Sequence, residues 1–373
     1  MKKIIILGCG RVGKAMCLDL ALKQTITVVD ISKENLESLS DNENVKTIQL
    51  DLSNTEELRK VLNDFDLVIC AVPGFMGFKT LKTIIEEKKD VVDISFFPED
   101  SLELTKLAKE NNVTAIVDAG VAPGLSNLLL GYYNSIYKVS YYACYVGGLP
   151  VEKIEPFEYK APFSPIDVIE EYTRPARLYE DSQIVTKEPL TEKELIEFEN
   201  IGNLEAFNTD GLRTLLYTMS HIPNMKEKTL RYPGHANKIE ILKKAGFFNS
   251  NSIKTDLGNI KPIDFTKEIL NKDWFLNEND LEFTVMKIDI HEKNKKISIN
   301  LFDEYNKQTN ISSMARTTGY TCTACVNMLL ENMFSEKGLF PLELIGGNKN
   351  CYNFIINYLE ERDVYLQTSE SNK

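Results

Sequence analysis

From residue 1 to about residue 120, short β-branched apolar runs alternate with amphipathic stretches, the arrangement of a parallel sheet with crossover helices. Strands are expected at Ile4–Leu7, Ile26–Asp30, Val45–Leu50, Leu67–Ala71, Val91–Ile94 and Thr114–Val117. Between them, helical spacing covers Val12–Leu22, Thr55–Leu62, Phe75–Glu87 and Asp100–Asn111. Six strands so interleaved predict an α/β, doubly wound parallel sheet.

After Asp118 the pattern changes. Val139–Val146 reads as a long strand, and the stretch through Tyr179, with Pro156, Pro162, Pro165 and Pro175, reads as loop and insertion. Leu281–Ile290 and Lys296–Glu304 both alternate polar and apolar residues and are joined by the polar HEKNK, which predicts an antiparallel hairpin in a half-exposed sheet. This second domain is therefore α+β. From Met314 the spacing is helical again, through TCTACVNMLLENMF and later NFIINYLEER, and the polar tail after Gln367 is expected to fray. The boundaries expected are 1–122, 123–312 and 313–373.

At 373 residues, 43% of them hydrophobic, the chain is long enough for two cores. Lys and Arg number 43 against 55 Asp and Glu, and a net charge of −12 repels a phosphate backbone, so nucleic acid is a poor partner. Gly8, Cys9 and Gly10 interrupt the first apolar run before a signal-peptide core forms, and no apolar stretch reaches bilayer length, so no membrane is expected. Seven scattered cysteines, an odd count, fit a reducing cytoplasm.

The firmest chemical signal is GCGRVG, which follows the first strand directly and opens a helix. Gly8 permits the tight turn, Gly10 lets the backbone approach a pyrophosphate, and Gly13 allows close helix packing, while the helix N-terminus offers N–H groups and positive dipole. Cys9, Arg11 and Val12 complete that loop. Asp30 closes the second strand 22 residues after Gly8, where a carboxylate accepts hydrogen bonds from a ribose and repels a 2′-phosphate. Ile31 follows where an arginine would favour phosphate, so NAD is preferred to NADP, with Lys33 the residue that would admit the phosphate. Asp51 and Leu52 are expected near the adenine, and Ala71, Val72, Pro73 and Gly74 beside the nicotinamide ribose.

In open α/β sheets ligands lie beyond the carboxyl ends of the strands. The exit of the sixth strand, DAGVAPGLSN from Asp118 to Asn127, should therefore face the nicotinamide, with Asp93, Ser95 and Phe96 nearby. VDAGVAPGLSNLL resembles the turn that leads out of the Rossmann domain in saccharopine dehydrogenase-like enzymes. The resemblance continues through YVGGLP, YKAPFSPIDVIEEYTRPARL, EAFNTDGLRTLL, TLRYPGHANKIEILKKAGFF and MARTTGYTCTACVNMLL, across nearly the whole chain. Its YTRPA and LRYPGH blocks are most similar to lysine 6-dehydrogenase.

The resemblance implies a saccharopine reductase-like fold. The middle region would then be a substrate and dimerisation domain, the segment from Met314 would return to the Rossmann domain, and a homodimer would hold its amino-acid or amine substrate between domains. Oxidation of an amine requires a proton acceptor and, for an amino acid, a cation for the carboxylate. Arg231 is the first choice for the carboxylate, with Arg174, Arg177 and Arg213 in reserve; a salt-bridged structural arginine would read the same way. His235 and Asp118 compete as proton acceptor, although a histidine after a glycine is also a common hydrogen-bonded cap. Tyr159, Lys160 and Asp210 join the substrate set by family position.

Cys322 and Cys325 form a CxxC, but no second ligand pair has suitable spacing, so no metal is expected. The tyrosines from Tyr132 to Tyr145 read as core rather than as a stacking platform for bases. Within the same enzyme class, a condensing reductase of the saccharopine or carboxynorspermidine type is the alternative to lysine deamination. KIIILGCGRVG with Asp30 also resembles nucleotide-sensing domains that gate potassium transport, but the 230 or so residues beyond residue 140 exceed what such a sensor needs.

Overall fold

A computed structural model describes residues 2–199, 201–256, 258–277 and 280–372. The chain divides into two compact units, each built from non-contiguous stretches. Met1–Val139, Arg213–Met219 and Met314–Tyr365 make the first unit, and Ser140–Leu212, Ser220–Ser313 and Leu366–Lys373 make the second.

The first unit holds β1 (Ile4–Leu7), β2 (Ile26–Asp30), β3 (Val45–Gln49), β4 (Leu67–Cys70), β5 (Asp90–Asp93) and β6 (Thr114–Val117). A further strand, Gly338–Pro341, completes a parallel sheet in the order Gly338–Pro341, β6, β5, β4, β1, β2, β3. Strands β1, β4 and β6 are buried at every position, as a sheet covered on both faces requires. Their connections are α1 (Arg11–Ala21), α2 (Lys33–Glu37), α3 (Thr55–Leu62), α4 (Gly74–Glu86) and α5 (Thr105–Glu110), with α6 (Leu125–Ile136) following β6. Leu58, Leu81, Ile84, Ile85 and Leu104 fill one layer of the core.

Because β1 lies between β2 and β4, the strand order reverses beside β1 and opens the crevice in which doubly wound folds take ligands. The helix Ser313–Leu330 belongs to this unit from Met314 onward, and its Gly319 sits where a Cβ would lie 3.2 Å from Met16 Cγ of α1.

The pattern missed α2, whose five residues are too few to show a period; the Ser32 hydroxyl caps it by accepting from Asn35 N–H. The stretch expected as one helix over Asp100–Asn111 is a 3₁₀ turn, Ser101–Leu104, followed by α5.

The second unit is a mixed sheet. Its strands β7 (Tyr141–Pro150), β8 (Ala176–Glu180), β9 (Gln183–Lys187), β10 (Glu194–Phe198), β11 (Gly202–Asn208) and β12 (Met225–Arg231) are followed by the hairpin Glu282–Glu292 and Lys295–Glu304. The order is β10, β11, β12, β7, Glu282–Glu292, Lys295–Glu304 and last Leu366–Asn372, with β8 on β12 and β9 on β8. Only β12 and β7 run parallel; the other neighbours pair antiparallel.

Two expectations fail in this unit. The proline-bearing stretch is not all loop: Pro165 opens a helix, α7 (Pro165–Thr173), where its missing N–H costs nothing, and β8 follows. The polar tail does not fray, because Leu366–Asn372 pairs with the hairpin strand from Leu301↔Leu366 to Lys295↔Asn372 and satisfies the edge of the sheet. Its side chains are mostly exposed, so no hydrophobic pattern announces it.

Candidate functional site

The glycine loop has the geometry of a dinucleotide cradle. Gly8 adopts φ +104°, and a Cβ there would lie 2.4 Å from the Ala71 carbonyl oxygen. At Gly13 a Cβ would lie 2.1 Å from the Gly8 carbonyl oxygen, so helix α1 can approach β1 only without a side chain. Gly10, by contrast, has nothing within 4 Å of its would-be Cβ and caps α1 without any side-chain hydrogen bond. Two glycines thus serve packing, and the third leaves open space at the helix N-terminus that would accommodate a pyrophosphate.

Asp30 ties this loop to the end of β2. Its Oδ2 accepts from Cys9 N–H at 2.6 Å and its Oδ1 from Ser32 N–H at 2.7 Å. Cys9 is buried, its thiol pushed up to about 12 by burial and then by Asp30, so it is packing and not a nucleophile. Ile31 is exposed beyond Asp30, and Lys33, also exposed, pairs with Glu37 at 3.0 Å. The Ser53 side chain and then its N–H, which donates to Asp51 at 2.9 Å, hold the Asp51 carboxyl low, and Leu52 beside it is buried. Ala71 and Val72 leave β4, and Pro73 caps α4 from an extended conformation. Val12 lies in the first turn of α1 with Arg11. The residues expected at a cofactor thus fall at the carboxyl ends of β1 to β4, and the chemistry of this cradle fits a nicotinamide dinucleotide.

Next along the sheet, β5 and β6 end in two buried carboxyls. Asp93 Oδ1 accepts from Ser95 N–H at 2.6 Å, while its Oδ2 is buried without a hydrogen-bond partner. Asp118, at φ +52°, accepts from Arg213 Nε at 2.8 Å through Oδ1, and its Oδ2 is likewise unpartnered. Burial pushes Asp93 up to about 7; the Ser95 N–H opposes this, Asp118 adds to it and Arg213 opposes it. Burial also raises Asp118, against the Arg213 guanidinium. Arg213 donates to the Phe97 carbonyl as well, and its guanidinium lies 5.0 Å from the Phe96 and Phe97 ring centres.

Sequence reasoning held Arg213 in reserve for a substrate carboxylate and did not foresee that it pairs with Asp118, 95 positions earlier in the chain. Its segment is anchored by Glu343, which accepts from Thr218 Oγ1 at 2.7 Å and from Asn127 Nδ2 at 3.0 Å. Nothing in the local sequence signals those partners.

In the second unit, the residues expected to bind substrate are bonded to one another. Arg231 is buried and donates to Tyr172 Oη, the Leu230 carbonyl, Tyr159 Oη and Glu171 Oε2, the last at 2.8 Å. A substrate carboxylate at Arg231 would have to displace Glu171.

His235 is likewise held by residues of the chain. Its Nδ1 lies 2.9 Å from the Phe157 carbonyl, which can only accept, so Nδ1 carries the proton and Nε2 accepts from Tyr172 Oη at 2.9 Å. Burial and then Arg231 depress its pKa to about 3. Both ring nitrogens are engaged, and a substrate proton has no open lone pair to reach.

Asp210 binds Arg177 through both carboxylate oxygens, at 2.9 and 2.8 Å, and also accepts from the Arg177 backbone N–H. Lys160 Nζ donates to the Asp273 carbonyl at 2.6 Å, and Arg174 Nη2 lies 3.8 Å from Glu170. Sequence reasoning also missed Glu227, which is buried on β12 and accepts from Thr209 Oγ1 at 2.7 Å. Burial pushes its carboxyl up to about 8; Thr209 opposes the shift, and Glu171 and Asp210 add to it.

All seven cysteines are buried, Cys322 and Cys325 among them. Burial raises both of those thiols. Among the described residues no group of three or more His, Cys, Asp or Glu side chains could hold a metal ion, and no helix is long and apolar enough to cross a membrane.

The fold and glycine cradle define a dinucleotide-binding Rossmann protein with a second, mixed-sheet unit. The chain belongs to the saccharopine dehydrogenase family: residues 4–116 match the model of the saccharopine dehydrogenase NADP binding domain, and residues 120–364 that of the saccharopine dehydrogenase C-terminal domain. It is 28% identical over 260 residues to an alpha-aminoadipic semialdehyde synthase of Arabidopsis thaliana, which covers 65% of this chain and 24% of that protein. It is 27% identical over 267 residues to the saccharopine dehydrogenase [NADP(+), L-glutamate-forming] of Saccharomyces cerevisiae, covering 67% of this chain and 59% of the relative. The chain thus spans between a quarter and three fifths of these relatives. The apo structure of a Saccharomyces cerevisiae saccharopine dehydrogenase (L-Glu forming) aligns over the full length of both chains with a TM-score of 0.79 at 21% identity, which shows the shared fold.

Proposed function

We propose that this chain is an NAD-dependent oxidoreductase that removes hydride from the amine-bearing carbon of an amino acid, with lysine at its ε-carbon the leading substrate. The products are then the semialdehyde, which cyclises, together with ammonia and NADH. The dinucleotide supplies the hydride acceptor; the chain supplies its cradle through Gly8, Gly10 and Gly13 and its ribose partner through Asp30.

The observation that carries the amine reading is the charge of the buried groups in the second unit. Arg231 and Arg177 are each neutralised by a carboxyl of the chain, Glu171 and Asp210, so both guanidiniums are already paired with an anion. A site of this kind favours a substrate rich in ammonium over one rich in carboxylate. For the nucleotide, the relatives and the family model carry NADP in their names; Asp30 favours NAD here, because its carboxylate would repel a 2′-phosphate.

The relatives' names support a second reading, a saccharopine-type reductase that condenses a semialdehyde with an amine. NADH formation at 340 nm with lysine, ornithine, saccharopine and diamines separates the two. Lysine-dependent turnover with ammonia release supports deamination. Silence on all of them, with NAD(P)H consumed by semialdehyde plus amine, supports the reductase.

A further inference from the structure

We propose that Asp93 and Asp118 work as one proton-sharing pair, held by Arg213, that takes the proton a substrate amine must lose before its hydride departs. The proposal rests on the amine oxidation put forward above and assigns its acid–base step to the first unit.

The geometry is specific. The two carboxyls end adjacent parallel strands, β5 and β6, next to the β4 exit that carries Ala71, Val72 and Pro73. Both side chains are more than nine-tenths buried, and in each Oδ1 is bonded while Oδ2 is not. Two unpartnered buried carboxylate oxygens at the ligand end of a Rossmann sheet are costly unless they receive a proton or a cationic group.

Arg213 neutralises one of the two charges, and it bonds Asp118, not Asp93. Arg213 opposes the rise that burial causes in Asp118, and Asp93 has no bonded cation, so Asp93 is the member that protonates first. The other groups acting on the pair are few: the Ser95 N–H on Asp93, Asp100 on Asp118, and the buried thiols Cys70 and Cys322, whose own ionisation Asp93 opposes. The thiols remain neutral, so besides the two carboxyls and Arg213 the charge that acts on the pair is that of Asp100.

With both carboxyls ionised, a substrate R–CH2–NH3⁺ gives one proton to the pair. The C–H bond then breaks with its electron pair, which leaves as hydride to the oxidised nicotinamide, and the amine nitrogen's lone pair forms the C=N bond. Water adds to the iminium, the C–N bond breaks, and the aldehyde and ammonium depart; the pair returns its proton to solvent. Asp118, less completely buried than Asp93, meets the amine and passes its proton to Asp93, the member that protonates first and so sets how tightly the pair holds it.

The test uses full-length protein labelled with ¹³C at the aspartate carboxyl carbons, titrated by NMR, alongside the pH profile of amine-dependent NADH formation. One aspartate is expected to titrate near pH 7. That signal disappears in Asp93→Asn and moves toward the ordinary carboxylate range in Asp118→Asn. The acid limb of kcat/KM follows the same midpoint in the native enzyme and shifts in Asp93→Asn, while Asp118→Asn loses about 100-fold or more in kcat.

Two aspartates titrating in the ordinary range, or an acid limb unchanged by Asp93→Asn, overturns the pair. Should the native enzyme oxidise no amine at all, the proposed function fails; the titration then decides the proton-sharing pair by itself.

Discussion

Asp30 Oδ2 accepts from the Cys9 backbone N–H at 2.6 Å, so the residue expected to meet the ribose also fixes the glycine loop that meets the phosphates. Replacing it with Asn keeps the shape, loses the charge and turns one acceptor oxygen into a donor. Asp30→Asn should weaken NADH binding by roughly tenfold or more, in line with about 1.5–3 kcal/mol for a charged hydrogen bond. The preference for NAD over NADP should narrow with it. Fluorescence titration with NADH and NADPH measures both; an unchanged ratio would remove Asp30 from cofactor choice.

Gly10 and Gly13 should part company under the same substitution. At Gly13→Ala the new methyl meets the Gly8 carbonyl at 2.1 Å, so the melting temperature falls. At Gly10→Ala the methyl enters open space, so the fold survives while dinucleotide affinity drops by an order of magnitude or more. Calorimetry paired with NADH titration checks the contrast, and equal melting losses at the two sites would contradict it.

The raised Asp93 carboxyl makes stability depend on pH. Its folded pKa, about 7, lies above the 3.8 of an unperturbed carboxyl, so the folded state binds the proton more tightly. Its contribution is therefore fully present below pH 4 and is lost as pH rises through 7. Asp93→Asn cannot ionise, so its stability relative to the native protein should climb between pH 4 and 7, by a few kcal/mol at about 1.4 kcal/mol per pKa unit. Urea unfolding at pH 5 and pH 8 measures the difference; a gain at pH 5 equal to that at pH 8 would refute the assignment.

Tyr172→Phe removes the hydroxyl that donates to His235 Nε2 and accepts from Arg231 Nε, leaving two buried groups unsatisfied. Destabilisation of about 2–4 kcal/mol is expected, at about 1–3 kcal/mol per unsatisfied group. The acid limb of kcat/KM should remain in place, since His235 does not titrate near neutrality. A displaced limb would return His235 to the proton path.

The sheet of the first unit was legible because its strands are buried on both faces and its helices repeat every three to four residues. So was the glycine cradle, where Gly8, Asp30 and the strand ends are set by local rules. The second unit was harder to read. Its strands β9 and β10 are short and have no buried position, and the polar strand Leu366–Asn372 is recruited by an unpaired edge rather than by its own composition. Arg231 and His235 stand out in the sequence as candidates, but periodicity cannot show that Glu171, Tyr172 and the Phe157 carbonyl bond them. Long-range partners such as Asp118 and Arg213 leave no trace in spacing at all.

The interleaving of the two units also dictates an order of assembly. A chain emerging from the ribosome carries β1 to β6 first, yet the arginine that neutralises Asp118 arrives about a hundred residues later, and the outermost strand of that sheet, Gly338–Pro341, later still. The nucleotide-binding unit, begun first, is thus among the last parts to be completed, and no single cut in the chain would release either half intact.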